Sequence, residues 1–374
     1  MQNSSRSLKQ QGYTLLEVLV AMTIGLVVLG SAITMQISHR QAYALTESKL
    51  SMQTNAKFAH EFIAASLREM GAVGCRSAGG YTLEGDQESN YEIAFNNPDI
   101  AFANFKIDEE LLGYENAEGS SIWSPTVSSD FLFGADMLDG SDAITIRGAI
   151  GPTYRVDYND IATNRESVQL NMSNVSNVQL EPNNYAVLSQ CDRAEVFKVT
   201  GTEEQVSAGT IYHGDGMLGD DNALAGFSGD IDFTDRSMAE LRRVAVTTYY
   251  IAENENGVPT LFRDVDNVSD PMVEGVERMQ IEYGINTDTN TVNVPDEYHD
   301  AQWVDNQDAW GDVVSVRLSF IMRSRNELYE QDMQKTYSLP GAVANYDYAV
   351  NDKYARMVYT ATVNLRNRSL GARI

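Results

Sequence analysis

The stretch Gly12-Tyr13-Thr14-Leu15-Leu16-Glu17, followed by an uncharged run from Val18 to Ser38, decides the fold. The twelve residues up to Gly12 include two basic residues, Arg6 and Lys9, and no acid. The uncharged run is long enough to cross a bilayer as a helix. Basic residues before such a run favour a cytoplasmic N-terminus, with the rest of the chain across the membrane. The sequence therefore predicts a single-pass membrane protein whose large C-terminal part is exported.

A cleaved signal peptide is the alternative interpretation of this segment. It would have the same basic and apolar regions, followed by a small-residue site such as Gly30-Ser31-Ala32. Glu17 argues against it, because a carboxylate beside an apolar run is costly in hydrocarbon and usually marks function. A discarded signal would have no reason to carry this residue.

The string from Gly12 to Glu17, between a basic leader and about twenty apolar residues, resembles the class III signal of type IV pilins and pseudopilins. Tyr13 stands where the family more often has phenylalanine. The resemblance implies that a prepilin peptidase cuts after Gly12, removes residues 1–12 as a leader peptide and methylates the new N-terminus at Tyr13. The new amine would be a cation, and Glu17 could pair with it or with the amine of a neighbouring subunit. The alternative is a chance glutamate stabilised by the helix dipole.

A second helical pattern follows the apolar run. Apolar residues recur at steps of three and four and form one stripe of an amphipathic helix: Met52, Ala56, Ala59, Ile63, Leu67 and Met70. A nearly continuous helix from Tyr13 to Met70, about 87 Å long, is therefore predicted, with Gly25 and Gly30 as its weak points. We divide it into a transmembrane and filament-core helix over 13–38 and an amphipathic helix over 39–70.

Residues 71–374 are predicted to form a β-rich globular domain, which makes the chain an α+β protein with a pilin-like arrangement. Seven segments have the composition of strands: Ala143–Arg147, Tyr185–Leu188, Ala194–Thr200, Arg243–Ile251, Met279–Tyr283, Val313–Met322 and Met357–Leu365. Two stretches, Glu84–Asp142 and Gly201–Ser237, are rich in Gly, Asn and acids. They are predicted to be long surface loops or inserted subdomains.

Further strings resemble PilW-type minor pilins over most of the chain: Glu69-Met70-Gly71 with Gly74-Cys75, 188–192 with 196–200, 273–279 with 282–284, and 363–368. The resemblance implies a non-enzymatic subunit that primes or joins a type IV pilus at or near its tip. Its partners would be other minor pilins, the major pilin, prepilin peptidase, the inner-membrane assembly platform and a tip adhesin. It would lie in the inner membrane with a periplasmic domain before assembly, and then at the cell surface. The alternatives are a J-type pseudopilin of type II secretion and a membrane-anchored exported enzyme or binding domain.

The same resemblance gives the two cysteines a use. In an oxidising exterior compartment, Cys75 and Cys191 are expected to pair. The bridge would tie the end of the helix to the β-rich domain and stabilise it by about 4–5 kcal/mol on the loop-entropy model. Two unrelated buried thiols are the alternative.

The composition limits the remaining classes of function. The chain has 374 residues with 27 Lys and Arg against 53 Asp and Glu, a net charge of -26. This balance disfavours a nucleic-acid partner, whose phosphates would be repelled. Two cysteines in the whole sequence exclude a disulfide-dense scaffold and a Cys-rich metal module.

No pattern in the sequence indicates an enzyme. The histidines are far apart and lack metal-ligand spacing; they are His39, His60, His213 and His299, of which the first two are predicted on the polar face of the helix. The acidic loop 214–235 contains a GxGxxG string, but its acids would repel a pyrophosphate. We expect a solvated loop, with a calcium site on its oxygens as the alternative. The Trp303–Trp310 segment is either a partner-facing loop or an aromatic pair at the core edge. We therefore expect no catalytic residue, no metal site and no cofactor.

Overall fold

A computed structural model confirms the predicted α+β architecture, a long N-terminal helix with a β-rich domain. It describes residues 14–71, 92–95, 110–116, 123–126, 137–156, 167–174, 177–189, 193–213, 239–287, 294–341 and 346–365.

The first helix, α1, extends over Leu15–Glu69 without a break at Gly25 or Gly30. Its 55 residues span about 82 Å, so the predicted helix is confirmed. Within the described part of the domain, two short helices follow, α2 at Glu203–Ser207 and α3 at Ala301–Asn306. Single 3₁₀ turns lie at Met172–Asn174 and Trp310–Asp312.

The larger sheet of the described residues contains nine strands. They are β1 (Glu92–Phe95), β2 (Leu111–Asn116), β3 (Trp123–Ser124), β4 (Ala143–Arg155), β6 (Tyr185–Ser189), β7 (Arg193–Lys198), β9 (Glu240–Glu253), β10 (Pro259–Val265) and β11 (Val268–Glu274). Its strand order is β1-β7-β6-β9-β4-β2-β3. The long strand β9 has β4 along one edge, while β6 and then β10 share the other. A small separate pair joins β5 (Ser167–Gln169) to β8 (Thr210–Tyr212).

The second sheet has the order β13-β12-β14-β17 and comes from the C-terminal third of the chain. Its strands are β12 (Val276–Ile285), β13 (Glu297–His299), β14 (Val313–Glu327) and β17 (Tyr354–Asn364). In sequence, β14 is followed by β15 (Met333–Leu339) and β16 (Tyr346–Asp352), and then by β17. β15 and β16 pair with each other as a hairpin. The second half of α1 packs against strands of both sheets, and one core cluster contains side chains from all three.

All seven predicted strands lie on observed strands, and most of these are longer than predicted. The prediction missed β10, β11, β15 and β16, among others. The two stretches assigned to loops or subdomains also contain regular structure. The first, 84–142, includes β1, β2 and β3, and the second, 201–237, includes α2 and β8.

Candidate functional site

The candidate functional site is α1, and its first turn is organised around Glu17. The backbone N–H of Thr14 donates to the Glu17 carboxylate at 3.0 Å, and the Thr14 hydroxyl donates to the same oxygen at 3.1 Å. In return the Glu17 N–H donates to the Thr14 hydroxyl at 3.3 Å. This capping box holds the carboxylate at the helix N-terminus. The charge therefore lies on the side from which residue 13 enters the helix.

The apolar side chains of the first half of α1 are exposed. Residues from Leu15 to Ile37 are exposed on every face, including Leu15 at 79% and Val27 at 69%. Among the described residues, α1 is the one helix long and apolar enough to cross a membrane. An all-round apolar surface is stable only in lipid or between other apolar helices.

The second half of α1 fixes the helix to the domain. The six residues of the predicted stripe, from Met52 to Met70, are all buried at 3% exposure or less. They contact the core cluster that includes Val316 and Phe320 of β14 and Ile146 of β4. The alanines Ala56 and Ala59 are completely buried, which lets the helix backbone lie close to the strands. The predicted amphipathic face is therefore confirmed.

Polar contacts along α1 mark where the domain begins. The first is at Gln41, whose amide donates to Glu330 at 2.7 Å. Further along, the Asn55 amide donates to the Glu274 carbonyl at 3.1 Å. The Ser66 hydroxyl lies 2.8 Å from the Tyr249 hydroxyl, which also donates to the Phe62 carbonyl at 3.2 Å. The contacts to the domain thus start near the end of the uncharged run.

The end of α1 is attached to strand β4. Met70 forms an isolated antiparallel bridge with Gly148, and the Gly71 N–H donates to the Arg147 carbonyl at 3.3 Å. Arg242 adds an ion pair to Glu69 at 3.2 Å. A groove of about 530 Å³ lies beside this joint. Its lining includes two basic residues, Arg243 and Arg263, and three acids. The groove therefore has no predominant sign of charge that would favour an anionic or a cationic ligand.

The outward face of the second half of α1 carries exposed aromatic and aliphatic side chains. They are Tyr43 at 73%, Leu50 at 59%, Phe58 at 54% and Phe62 at 37% exposure. Their spacing of seven, eight and four residues puts them on one side of the helix, opposite the buried stripe. The apolar surface of α1 therefore continues beyond the uncharged run, on the face that the domain leaves free.

The described histidines differ in burial and in contacts. His39 is exposed, as predicted for the polar face of the helix. His60 differs from the prediction, because it is half-buried with its ring 6.2 Å from that of Tyr359, and burial lowers its pKa. His299 pairs with Glu297 at 3.0 Å and stacks on Trp303. Within the described ranges, no three His, Cys, Asp or Glu side chains are arranged to hold a metal ion.

Trp303 and Trp310 lie at the core edge, which is one of the two predicted arrangements for this segment. Trp310 is buried at 5% exposure with its ring edge-to-face with Tyr283, and Trp303 is partly buried. Several predicted features lie outside the described residues: the cleavage site Gly12 and Tyr13, the cysteines Cys75 and Cys191, and the acidic loop 214–235. These remain predictions.

Two family models match the chain. Residues 7–33 match the prokaryotic N-terminal methylation motif, which covers Gly12, Tyr13 and Glu17. Residues 248–367 match the family described as Type IV Pilus-assembly protein W. The second match begins in β9 and includes the whole of the smaller sheet. No curated protein and no solved structure matches the chain.

The first match covers part of the apolar half of α1, and the second includes β11, β12, β14 and β17, four strands that pack against α1. Pilin-type families are structural rather than enzymatic. The matches confirm the resemblance of the sequence to PilW-type minor pilins. Together the methylation motif at the N-terminus and the PilW segment in the domain support a type IV pilus-related, prepilin-like protein.

Proposed function

We propose that this protein is a minor pilin, made as a prepilin and incorporated at or near the tip of a type IV pilus. Prepilin peptidase cuts after Gly12 and methylates Tyr13. Residues 13–38 hold the subunit in the inner membrane with its domain in the periplasm. The assembly platform then transfers the subunit to the filament, beside other minor pilins and the major pilin.

The observation that carries this proposal is the division of α1 into two halves. The first half exposes apolar side chains on every face, whereas the second half is fixed to the domain along one stripe. A membrane-anchored enzyme would need only the first half of α1, to hold it in the membrane. It would have no need of an apolar free face on the second half. Here the apolar surface extends along the free face as far as Phe62, which suits side-by-side packing with other helices.

In this proposal Glu17 sets the position of the subunit beside its neighbours. Its carboxylate is held at the helix start by Thr14 and has no other hydrogen-bond partner among the described residues. A neighbouring α-amine that approached this site would neutralise two charges together in hydrocarbon. The pairing would favour docking of one subunit at a defined height along another.

The experiment compares pili and co-purified partner pilins in strains that express wild type, Glu17→Val or Glu17→Gln. Glutamine retains an oxygen that can accept from Thr14 but removes the charge. We expect both variants to lose partner pilins several-fold while the domain stays folded, because the lost feature is the counter-charge. Glu47→Gln, an exposed acid on the same helix outside the uncharged run, is the control and should behave as wild type.

The outcomes separate the alternatives. Normal pili with Glu17→Gln but not with Glu17→Val would show that helix capping, not charge, is required. Normal pili in both variants, together with loss of pili on gene deletion, would place the subunit first at the tip. A secretion defect without loss of pili would favour a type II pseudopilin, and no phenotype on deletion would favour an anchored enzyme or binding domain.

The Cys75–Cys191 bridge is part of the proposal. It would hold the segment that follows α1 to the region between β6 and β7, in a compartment where thiols are oxidised.

A further inference from the structure

The two sheets of the domain are joined by a short turn before β4. The Asp142 N–H donates to the Met279 carbonyl at 2.8 Å, and the Met279 N–H donates to the Ser141 hydroxyl at 3.0 Å. The Ile281 N–H donates to the Asp142 carboxylate at 2.8 Å. Ser141 and Asp142 thus pair with Met279 and Ile281 of β12, on the edge where the described strand β13 pairs only with residues 283–285. Asp142 belongs to this contact and is 2% exposed.

A second acid lies at the same place. Glu115, on β2 of the larger sheet, accepts a hydrogen bond from the Ala301 N–H at 3.2 Å. Ala301 begins α3, and the preceding residue, Asp300, caps that helix through the Trp303 N–H at 2.7 Å. β2, the start of β4, β12 and α3 therefore meet around three carboxyl groups.

The hydroxyl of Tyr283 completes this cluster, and it has no hydrogen-bond partner in the described part of the chain. Tyr283 is 1% exposed, and its hydroxyl oxygen lies so close to Gly113 that a Cβ there would be 1.9 Å away. The pKa of Tyr283 is raised by burial and then by Asp142, Glu115 and Tyr114. The phenol therefore stays neutral and adds no further negative charge to the cluster.

The charged groups that act on the buried carboxyl of Asp142 and the half-buried carboxyl of Glu115 are acids. Burial, then Glu115 and Asp300, raise the pKa of Asp142 well above its usual range, although backbone N–H groups of Ile281 and Asn116 oppose the shift. Burial, then Asp300, raise the pKa of Glu115 to about 7. In the described part of the chain, no basic side chain compensates either group.

We propose that Glu115 and Asp142 form a proton-linked joint between the two sheets, in which the closed joint holds a proton that the open joint releases. Asp142 is buried and Glu115 is half-buried, and without a counter-charge two such neighbouring carboxylates cannot both ionise at low cost. The closed joint therefore binds more protons than the open one. As pH rises, the equilibrium shifts towards the open form.

The direction in which stability changes with pH follows from the raised pKa values of the two carboxyls. In the unfolded chain both groups ionise near pH 4 to 5, about the ordinary range for carboxyls. In the folded chain Glu115 ionises only near 7. Stability that the protonated joint contributes is therefore present at low pH and lost as pH rises from about 5 to about 7. One retained proton corresponds to a change of about tenfold per pH unit in the unfolding equilibrium constant.

The test uses the full chain in detergent micelles, unfolded by urea between pH 5 and 8. Wild type should lose stability steadily over this range. Glu115→Gln should flatten the dependence, because its amide oxygen can still accept from the Ala301 N–H but carries no charge. Asp142→Asn should do the same, and Asp270→Asn, an exposed acid on β11, should keep the wild-type dependence.

A local measurement separates the joint from other titrating groups. Hydrogen exchange of the Met279 and Ile281 amides, corrected for the intrinsic pH effect, should accelerate with pH in wild type and not in Glu115→Gln. If Asp142→Asn fails to fold, Glu115→Gln decides the question alone. The same pH dependence in wild type and Glu115→Gln, or stability of the wild type that does not fall with pH, would overturn the proposal.

Discussion

Gly148 is the residue that lets the end of α1 reach the sheet. A Cβ at this position would lie 3.1 Å from the Gly71 nitrogen, 3.2 Å from the Glu69 carbonyl oxygen and 3.4 Å from the Met70 Cα. All three are backbone atoms, in the last residue of α1 and the two residues after it, and they cannot rotate away as a side chain could. The close approach therefore depends on the absence of a side chain.

We expect Gly148→Ala to destabilise the domain by about 1–3 kcal/mol, because the helix end must move off β4. Urea unfolding of the full chain in detergent measures the loss. Gly311→Ala is the matched control, since nothing lies within 4 Å of a Cβ there. Equal stability of Gly148→Ala and Gly311→Ala would show that the helix end tolerates displacement.

Single residues differ in how far the sequence reveals their role. Glu17 could be identified from the sequence, because a charge beside an apolar run stands out. Glu115 and Asp142 could not, because each lies in an ordinary mixed segment and only the fold brings them together. Tyr283 was placed on a predicted strand, but its unpaired hydroxyl depends on the approach of Gly113 from another strand.

At the scale of elements, α1 is one continuous helix whose two halves differ in exposure. The pattern of period 3.6 predicted its buried stripe correctly, since only one face of an amphipathic helix can pack on a domain. The same argument predicts which alanines are constrained. Ala59 faces the core with no exposed surface, whereas Ala65 is exposed on the same helix.

Ala59→Leu should separate α1 from the strands and cost about 1–3 kcal/mol by overpacking. Ala65→Leu has the same change in volume and helix propensity and should alter stability by less than about 0.5 kcal/mol. Thermal unfolding in detergent compares the two variants. A larger loss with Ala65→Leu than with Ala59→Leu would contradict the packing of α1 described here.

The strands that the sequence did not reveal lack the pattern that identifies a strand. In β11 the first four residues, Val268 to Pro271, are all exposed, so no alternation of apolar and polar residues can appear. β16 alternates only between exposed and half-buried positions, within a two-stranded hairpin. Central strands such as β9 and β14 were found because burial on both faces requires long runs of apolar and β-branched residues.

At the scale of the whole molecule, one helix connects two environments with opposite requirements. Its first half is apolar on every face, while the chain as a whole carries a net charge of -26. An acidic surface keeps the domain in water, and the apolar half requires lipid or neighbouring helices. The proposed function therefore depends on retention of the N-terminal segment. Without this segment the subunit could neither insert in the membrane nor join a filament.

The most direct test is the intact mass and N-terminal sequence of the membrane-bound protein. The account predicts a chain that begins at Tyr13, with one added methyl group on its amine, and that keeps all of α1. A chain that begins near Ile33 would show cleavage by an ordinary signal peptidase and would contradict the prepilin function.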